Sequence, residues 1–185
     1  DIQINFTPGT HQRGMQSTLE KQAGFTMATW QHRPESQGYV KAKSSDPFEH
    51  PEIQPNYLAA ETDQRVILAA IKICRKLAQT KALKPFVVEE TFPSVTCQND
   101  SDLLNSAREI GQSIYHLMGT CRMGNRDDKT AVVDAELRVH GIKNLRVIDA
   151  SIMPTMVSAN LNAAVMMIAE KGADMVLGKS AIKAH

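Results

Sequence analysis

The chain has 185 residues, 42% of them apolar, and carries 21 Lys plus Arg against 20 Asp plus Glu for a formal charge of +1. That length and apolar content suffice for one large or two small buried cores. The balanced charge, without a basic stripe, argues against a nucleic-acid partner, and no run reaches the roughly 18 apolar residues of a membrane-spanning helix.

The first residues, DIQINF, read as a strand. They lack an initiator methionine and the basic and apolar regions of a signal peptide, so the chain is expected to be part of something longer. Over residues 24–31, and again over 38–43 where Val40 and Ala42 alternate with Lys41 and Lys43, the texture is that of half-buried antiparallel strands. RPESQG between them supplies turn chemistry, and SSDPFEHPEIQPNY, with three prolines in nine residues, cannot be the interior of a regular element.

Residues 61–80 change to a helical period. Val66, Ile67, Ala70, Ile71, Cys74, Leu77 and Ala78 recur at three and four, with Arg65, Lys72, Arg75 and Lys76 mostly on the other arc, the pattern of a surface helix packed on a sheet. Pro85 bars its continuation. A second helix is expected over about 101–113, capped by Asn99 or Asp100, with Leu103, Leu104, Ala107 and Ile110 facing inward. It ends just before His116 and the glycine-flanked run YHLMGTCRMG. After a charged loop, Gly141 and Asn144 mark turns, residues 145–148 read as a short strand ending at Asp149, and a last helix runs from Leu161 or Asn162 to Leu177 with Gly178 as its stop. Being apolar around its circumference, that helix is expected to be buried.

Four separated motifs, RPESQGYVKAKSSDPFEHPEIQPNYL, YHLMGTCRMG, LRVHGIKNLRVIDASIMP and SANLNAAVMMIAEKGADM, stand in the order found in the C-terminal part of the glucose-methanol-choline (GMC) oxidoreductases. The chain resembles that family over nearly its whole length, and most closely its choline dehydrogenase branch. The resemblance implies an α+β fold: residues 1–130 as a substrate-binding domain, an antiparallel sheet backed by helices, and residues 131–185 as the C-terminal strand and helix that complete an FAD-binding domain. It implies an FAD-dependent enzyme that oxidises a primary alcohol to an aldehyde. The family's GxGxxG fingerprint is not in the chain, and Gly119 to Gly124 cannot replace it, having no lysine and following no parallel strand. An N-terminal FAD-binding segment of a parent protein is therefore an expected partner, beside a small-molecule alcohol. A stand-alone, non-catalytic binding domain of the same fold is the alternative.

The chemistry sets what the residues must do. An alkanol is about as weak an acid as water, whose pKa is about 15.7, and full proton transfer to a histidine near 6.5 is uphill by roughly nine units, or about 12 kcal/mol. The site must stabilise the alkoxide or couple proton and hydride removal. By the match, His116 is the base. Asn160 stands where family members carry a second histidine or an asparagine, and it would hold the substrate oxygen without trading protons. Asn162 and Ala163 would turn a helix N-terminus toward the N1 and C2 edge of the flavin, a plain capping role for Asn162 being compatible with this. Asp149 and Ala150 match a segment along the ribityl and pyrophosphate part of FAD.

The other candidates are weaker. His140 reads as structural, and His11, His32, His50 and His185 lack metal-ligand spacing, so no metal is expected. Cys74, Cys97 and Cys121, odd in number and without CxxC spacing, suit reduced thiols and a cytoplasmic location. Asn5 stands where many choline-type relatives carry a histidine near the substrate, a departure that counts against choline itself.

Overall fold

Six short strands open the computed structural model, which describes residues 2–12, 15–158 and 160–180. They are β1 (Ile2–Thr7), β2 (His11–Gln12), β3 (Met15–Leu19), β4 (Thr26–Gln31), β5 (Tyr39–Lys41) and β6 (Glu52–Gln54). These six strands pair antiparallel in three two-stranded pieces, β1 with β4, β2 with β3 and β5 with β6. The three prolines around β6 explain part of this, since proline cannot donate to a ladder. Such ribbons are marginal alone in water, and the β1–β4 pair is held by α1 (Glu61–Ala78), which packs across it. The stacked Phe6 and Phe25 rings, 5.2 Å apart, add an aromatic contact.

The face of α1 is close to the one its sequence period indicates. Ala70 and Cys74 are buried, whereas Leu77 stays 37% exposed. Two turns before Ala70 the same face buries a charge, Asp63. Its carboxylate accepts hydrogen bonds from the backbone N–H groups of Glu35 (2.9 Å) and Ser36 (2.8 Å) and from the Ser36 hydroxyl, whose oxygen in turn accepts from Ala60 N–H at 3.0 Å. The RPESQG turn is thereby tied to the start of α1. Burial by itself would raise the Asp63 pKa. The Ser36 hydroxyl, the two backbone donors and the Gln31 side chain outweigh it and hold the carboxyl below its ordinary range.

Packed against α1 is α2 (Asp100–Ile110), which buries Leu103. The Asn99 side chain caps it, accepting from Asp102 N–H at 2.9 Å and donating to the Asp102 carboxylate at 2.9 Å. Before it, the Arg75 guanidinium organises an irregular segment by pairing with Glu90 (2.9 and 3.1 Å) and donating to the Cys97 (2.8 Å) and Ser94 (3.3 Å) carbonyls.

The chain divides into two compact units between Gln112 and Ser113. The second has its own core, built from Val133, Leu137, Ile152, Met153, Leu161 and Ile168. The strand expected over 145–148 does not form. Arg146 makes a single bridge to Arg138, and its partner segment is interrupted by Leu137 at φ +64°, which breaks the extended geometry that a ladder needs. The last helix, α3 (Asn162–Val176), spans the expected residues, and Gly178 follows at φ +66°. Its expected burial on all sides is corrected. Within this unit only one face is covered, through Ile168 and Gly172, while Met166 (61%), Met167 (57%) and Val176 (60%) lie exposed.

Three outcomes follow. Replacing Asp63 with Ala leaves the Glu35 and Ser36 N–H groups without their buried acceptor and is expected to lower unfolding free energy by about 2 kcal/mol in urea titrations. A carboxyl depressed in the folded state contributes stability above its unfolded pKa, about 3.9, and loses it as pH falls through the depressed folded value; in Asp63→Asn that part of the acid limb is expected to flatten. A Cβ on Gly172 would stand 2.4 Å from Cγ2 of Ile148, a branch fixed close to the backbone. Gly172→Ala therefore trades a helix-propensity gain of about 1 kcal/mol for overpacking of about 1–3 kcal/mol, and a lower melting temperature is expected.

Candidate active site

Every candidate site residue of the second unit lies on one of three segments meeting at its core. The GTCRMG run is laid against residues 150–152 by three backbone hydrogen bonds. Gly119 N–H donates to the Ala150 carbonyl (3.4 Å), Cys121 N–H to Ser151 (2.9 Å) and Met123 N–H to Ile152 (2.8 Å). The third segment, the start of α3, is attached through Leu161 and Ile168, which pack with Ile152 and Met153.

His116 precedes the ladder and is half-buried. Its neighbours alternate: Tyr115 is 82% exposed and Leu117 60% exposed, whereas Met118 packs against the core. The His116 ring makes no hydrogen bond to another described residue. Two left-handed residues bracket it, Tyr115 at φ +62° and Gly119 at φ +85°.

The far end of the run is held from the other side. Gly124 N–H donates to the Val133 carbonyl at 3.0 Å, and His140 Nε2–H donates to the Gly124 carbonyl at 3.1 Å. Arg122 pairs with Asp128 at 2.7 Å, folding the charged loop back onto the run. The Thr130 hydroxyl and N–H, ahead of the Arg122 charge, lower the Asp128 pKa against a smaller opposing desolvation.

Asp149 is exposed and caps the short 3₁₀ turn Ala150–Ile152, its carboxylate accepting from Ser151 N–H at 2.7 Å. Ala150 is half-buried, and its carbonyl serves the ladder. Asn160 is exposed, one residue before Leu161. The capping role open to Asn162 is corrected: it is the first helical residue, its amide nitrogen lies 3.8 Å from Met166 Sδ, and the N-cap is Leu161, which offers no side-chain acceptor. With no acidic residue in its first turn and with Asn162 and Ala163 exposed, α3 presents backbone N–H groups that no side chain among the described residues caps.

Of the remaining candidates, Asn5 is exposed on β1 opposite Ala28, and His32 shares a hydrogen bond with the Gln3 side chain at 2.9 Å. His185 lies outside the described residues. All three cysteines are free thiols, and burial pushes the Cys74 thiol up. Sequence reasoning missed Asp63 and the conformation of Tyr115. Asp63 reads as one of the acidic residues common in a helix's first turn, and a backbone angle leaves no mark in a residue pattern.

A family model described as GMC oxidoreductase matches residues 34–169. Over 183 residues the chain is 43% identical to the mitochondrial choline dehydrogenase of Homo sapiens, a match covering 98% of this chain and 30% of that protein. Among solved structures, pyridoxine 4-oxidase from Mesorbium loti aligns with a TM-score of 0.74 at 30% identity over 86% of this chain and 31% of that one. An FAD-dependent oxidoreductase from Chaetomium thermophilum aligns with a TM-score of 0.71 at 26% identity over 79% of this chain and 25% of that one. The chain belongs to the GMC oxidoreductase family. It spans about a third of the length of the curated relatives it matches.

The Asp149 carboxylate carries a local test. Asp149→Ala removes the acceptor for Ser151 N–H and is expected to cost about 1 kcal/mol, read as a lower midpoint in denaturant.

Proposed function

We propose that this chain is the C-terminal part of an FAD-dependent alcohol dehydrogenase or oxidase that converts a primary alcohol to an aldehyde. The observation that carries this reading is the joining of three segments on one core: the GTCRMG run next to His116, the Asp149–Ile152 segment, and the start of α3 next to Asn160.

The residues present suit the flavin end of FAD. The amide groups of α3 from Asn162 and Ala163 onward have no side-chain acceptor among the described residues and offer roughly half a positive charge to an electron-rich ring edge. Asp149 and Ala150 would border the ribityl and pyrophosphate part. No glycine-rich phosphate loop follows a parallel strand among the described residues, so the ADP half would be held by an N-terminal segment of the parent protein. The same segment is a fitting cover for the exposed methionines and valine of α3, and residues 131–185 would then complete the FAD domain. When bound, FAD supplies the hydride acceptor.

The chain's own contribution is proton handling and orientation. An imidazole nitrogen of His116 takes the hydroxyl proton as the hydride leaves, which avoids the roughly 12 kcal/mol cost of forming a free alkoxide first. The Asn160 carboxamide donates to the substrate oxygen and keeps its charge state throughout, leaving His116 the single base. The half-burial of His116 limits water around it. The three thiols suit a reducing compartment such as the cytosol.

The test uses the full-length flavoprotein assayed with choline, pyridoxine and benzyl alcohol. His116→Ala is expected to lower turnover about 10²- to 10⁴-fold with flavin content unchanged. Turnover equal to that of the unaltered protein would remove His116 from the mechanism.

A further inference from the structure

The residue before His116 adopts a backbone conformation that its side chain disfavours. Tyr115 lies at φ +62°, where residues other than glycine are uncommon and carry a conformational cost. Its ring does not account for this, being 82% exposed and making no hydrogen bond or ring contact with another described residue. The backbone is what is held. Tyr115 N–H donates to the Ser113 hydroxyl oxygen at 3.0 Å, and beyond His116 the chain is fixed again where Met118 enters the core and Gly119, at φ +85°, begins the ladder. His116 therefore sits between two left-handed residues, Tyr115 in a local turn closed on the Ser113 hydroxyl and Gly119 at the start of the contacts with residues 150–152, with no hydrogen bond of its own to a described residue. A left-handed residue turns the chain sharply, and the direction of the next side chain follows from that turn.

We propose that Tyr115 is a positioning residue whose left-handed backbone, rather than its ring, sets the direction in which His116 presents its imidazole. The role rests on His116 acting as the base. It gives a use to a strained conformation at a residue with no side-chain partner: the turn closed on Ser113 and the contacts from Gly119 onward leave the direction of the intervening imidazole to the backbone of Tyr115.

The test compares Tyr115→Gly, Tyr115→Asn, Tyr115→Ala and Tyr115→Val in the full-length flavoprotein. Steady-state kcat and KM are measured with whichever of choline, pyridoxine and benzyl alcohol is turned over fastest, together with flavin content and melting temperature. Glycine and asparagine accept the left-handed region, alanine less so, and β-branched valine resists it. Expected is a kcat within about threefold of the parent for Gly and Asn although both lack the ring, and a loss of about tenfold or more for Val, with KM and flavin content little changed. If the Val protein does not retain flavin, the order among the others decides: Ala below Gly and Asn supports the role, and Ala equal to or above them overturns it. Equal loss of kcat in all four variants, or a raised KM in Gly and Asn, assigns the effect to the ring and overturns the proposal. So does an unchanged kcat in a flavin-loaded Val variant. His116→Ala measured alongside separates the two readings: normal turnover there removes the base, whereas lost turnover there beside a normal Val variant removes Tyr115 alone.

Discussion

The candidate site depends on one short backbone ladder. Gly119, Cys121 and Met123 donate alternately to the carbonyls of Ala150, Ser151 and Ile152, so the run after His116 is registered against the segment after Asp149. The intervening Arg122 pairs with Asp128. A ladder this short is weak by itself. Ile152 and Met153 give it permanence by entering the same apolar core as Val133, Leu137, Leu161 and Ile168. Because the start of α3 is attached to that core as well, the segments next to the proposed base, its asparagine partner and the helix terminus meet at one core.

In the first unit the organising groups are charged. Asp63 is buried at 3% exposure, a cost met by two backbone donors and a hydroxyl that all come from one turn. Arg75 does the same for the irregular residues before α2, using a carboxylate and two carbonyls. In both cases a helix supplies one long-range charge and a proline-containing segment, which cannot satisfy its own backbone, arranges itself around it. These contacts replace the regular pairing that the broken sheet lacks.

The helices were legible because their signals are local. The period of three and four in α1, the Asn99 cap of α2 and the Gly178 stop of α3 each need only neighbouring residues to act. The elements read less well are those decided by a partner. Residues 145–148 have strand-forming side chains, yet the segment they would pair with turns left-handed at Leu137, and only one bridge results. The apolar circumference of α3 promised burial, but the amount buried depends on the surface that this unit offers, which covers a single face. Asn162 was open to a capping role from its place at the helix mouth, and the helix began one residue earlier than that role requires.

By itself the amino-acid sequence determined the α+β class, the three helices, the family and the residues on which chemistry is expected, because each follows from local period, capping or a contiguous motif. Tertiary structure alone decided that Asp63 is buried among donors 27 and 28 residues away, that Gly172 must stay glycine against Ile148, and that Tyr115 turns left-handed beside His116. The physical reason is the same in each case: burial, close approach and backbone strain are properties of what the rest of the chain places next to a residue, and no stretch of sequence contains its own surroundings.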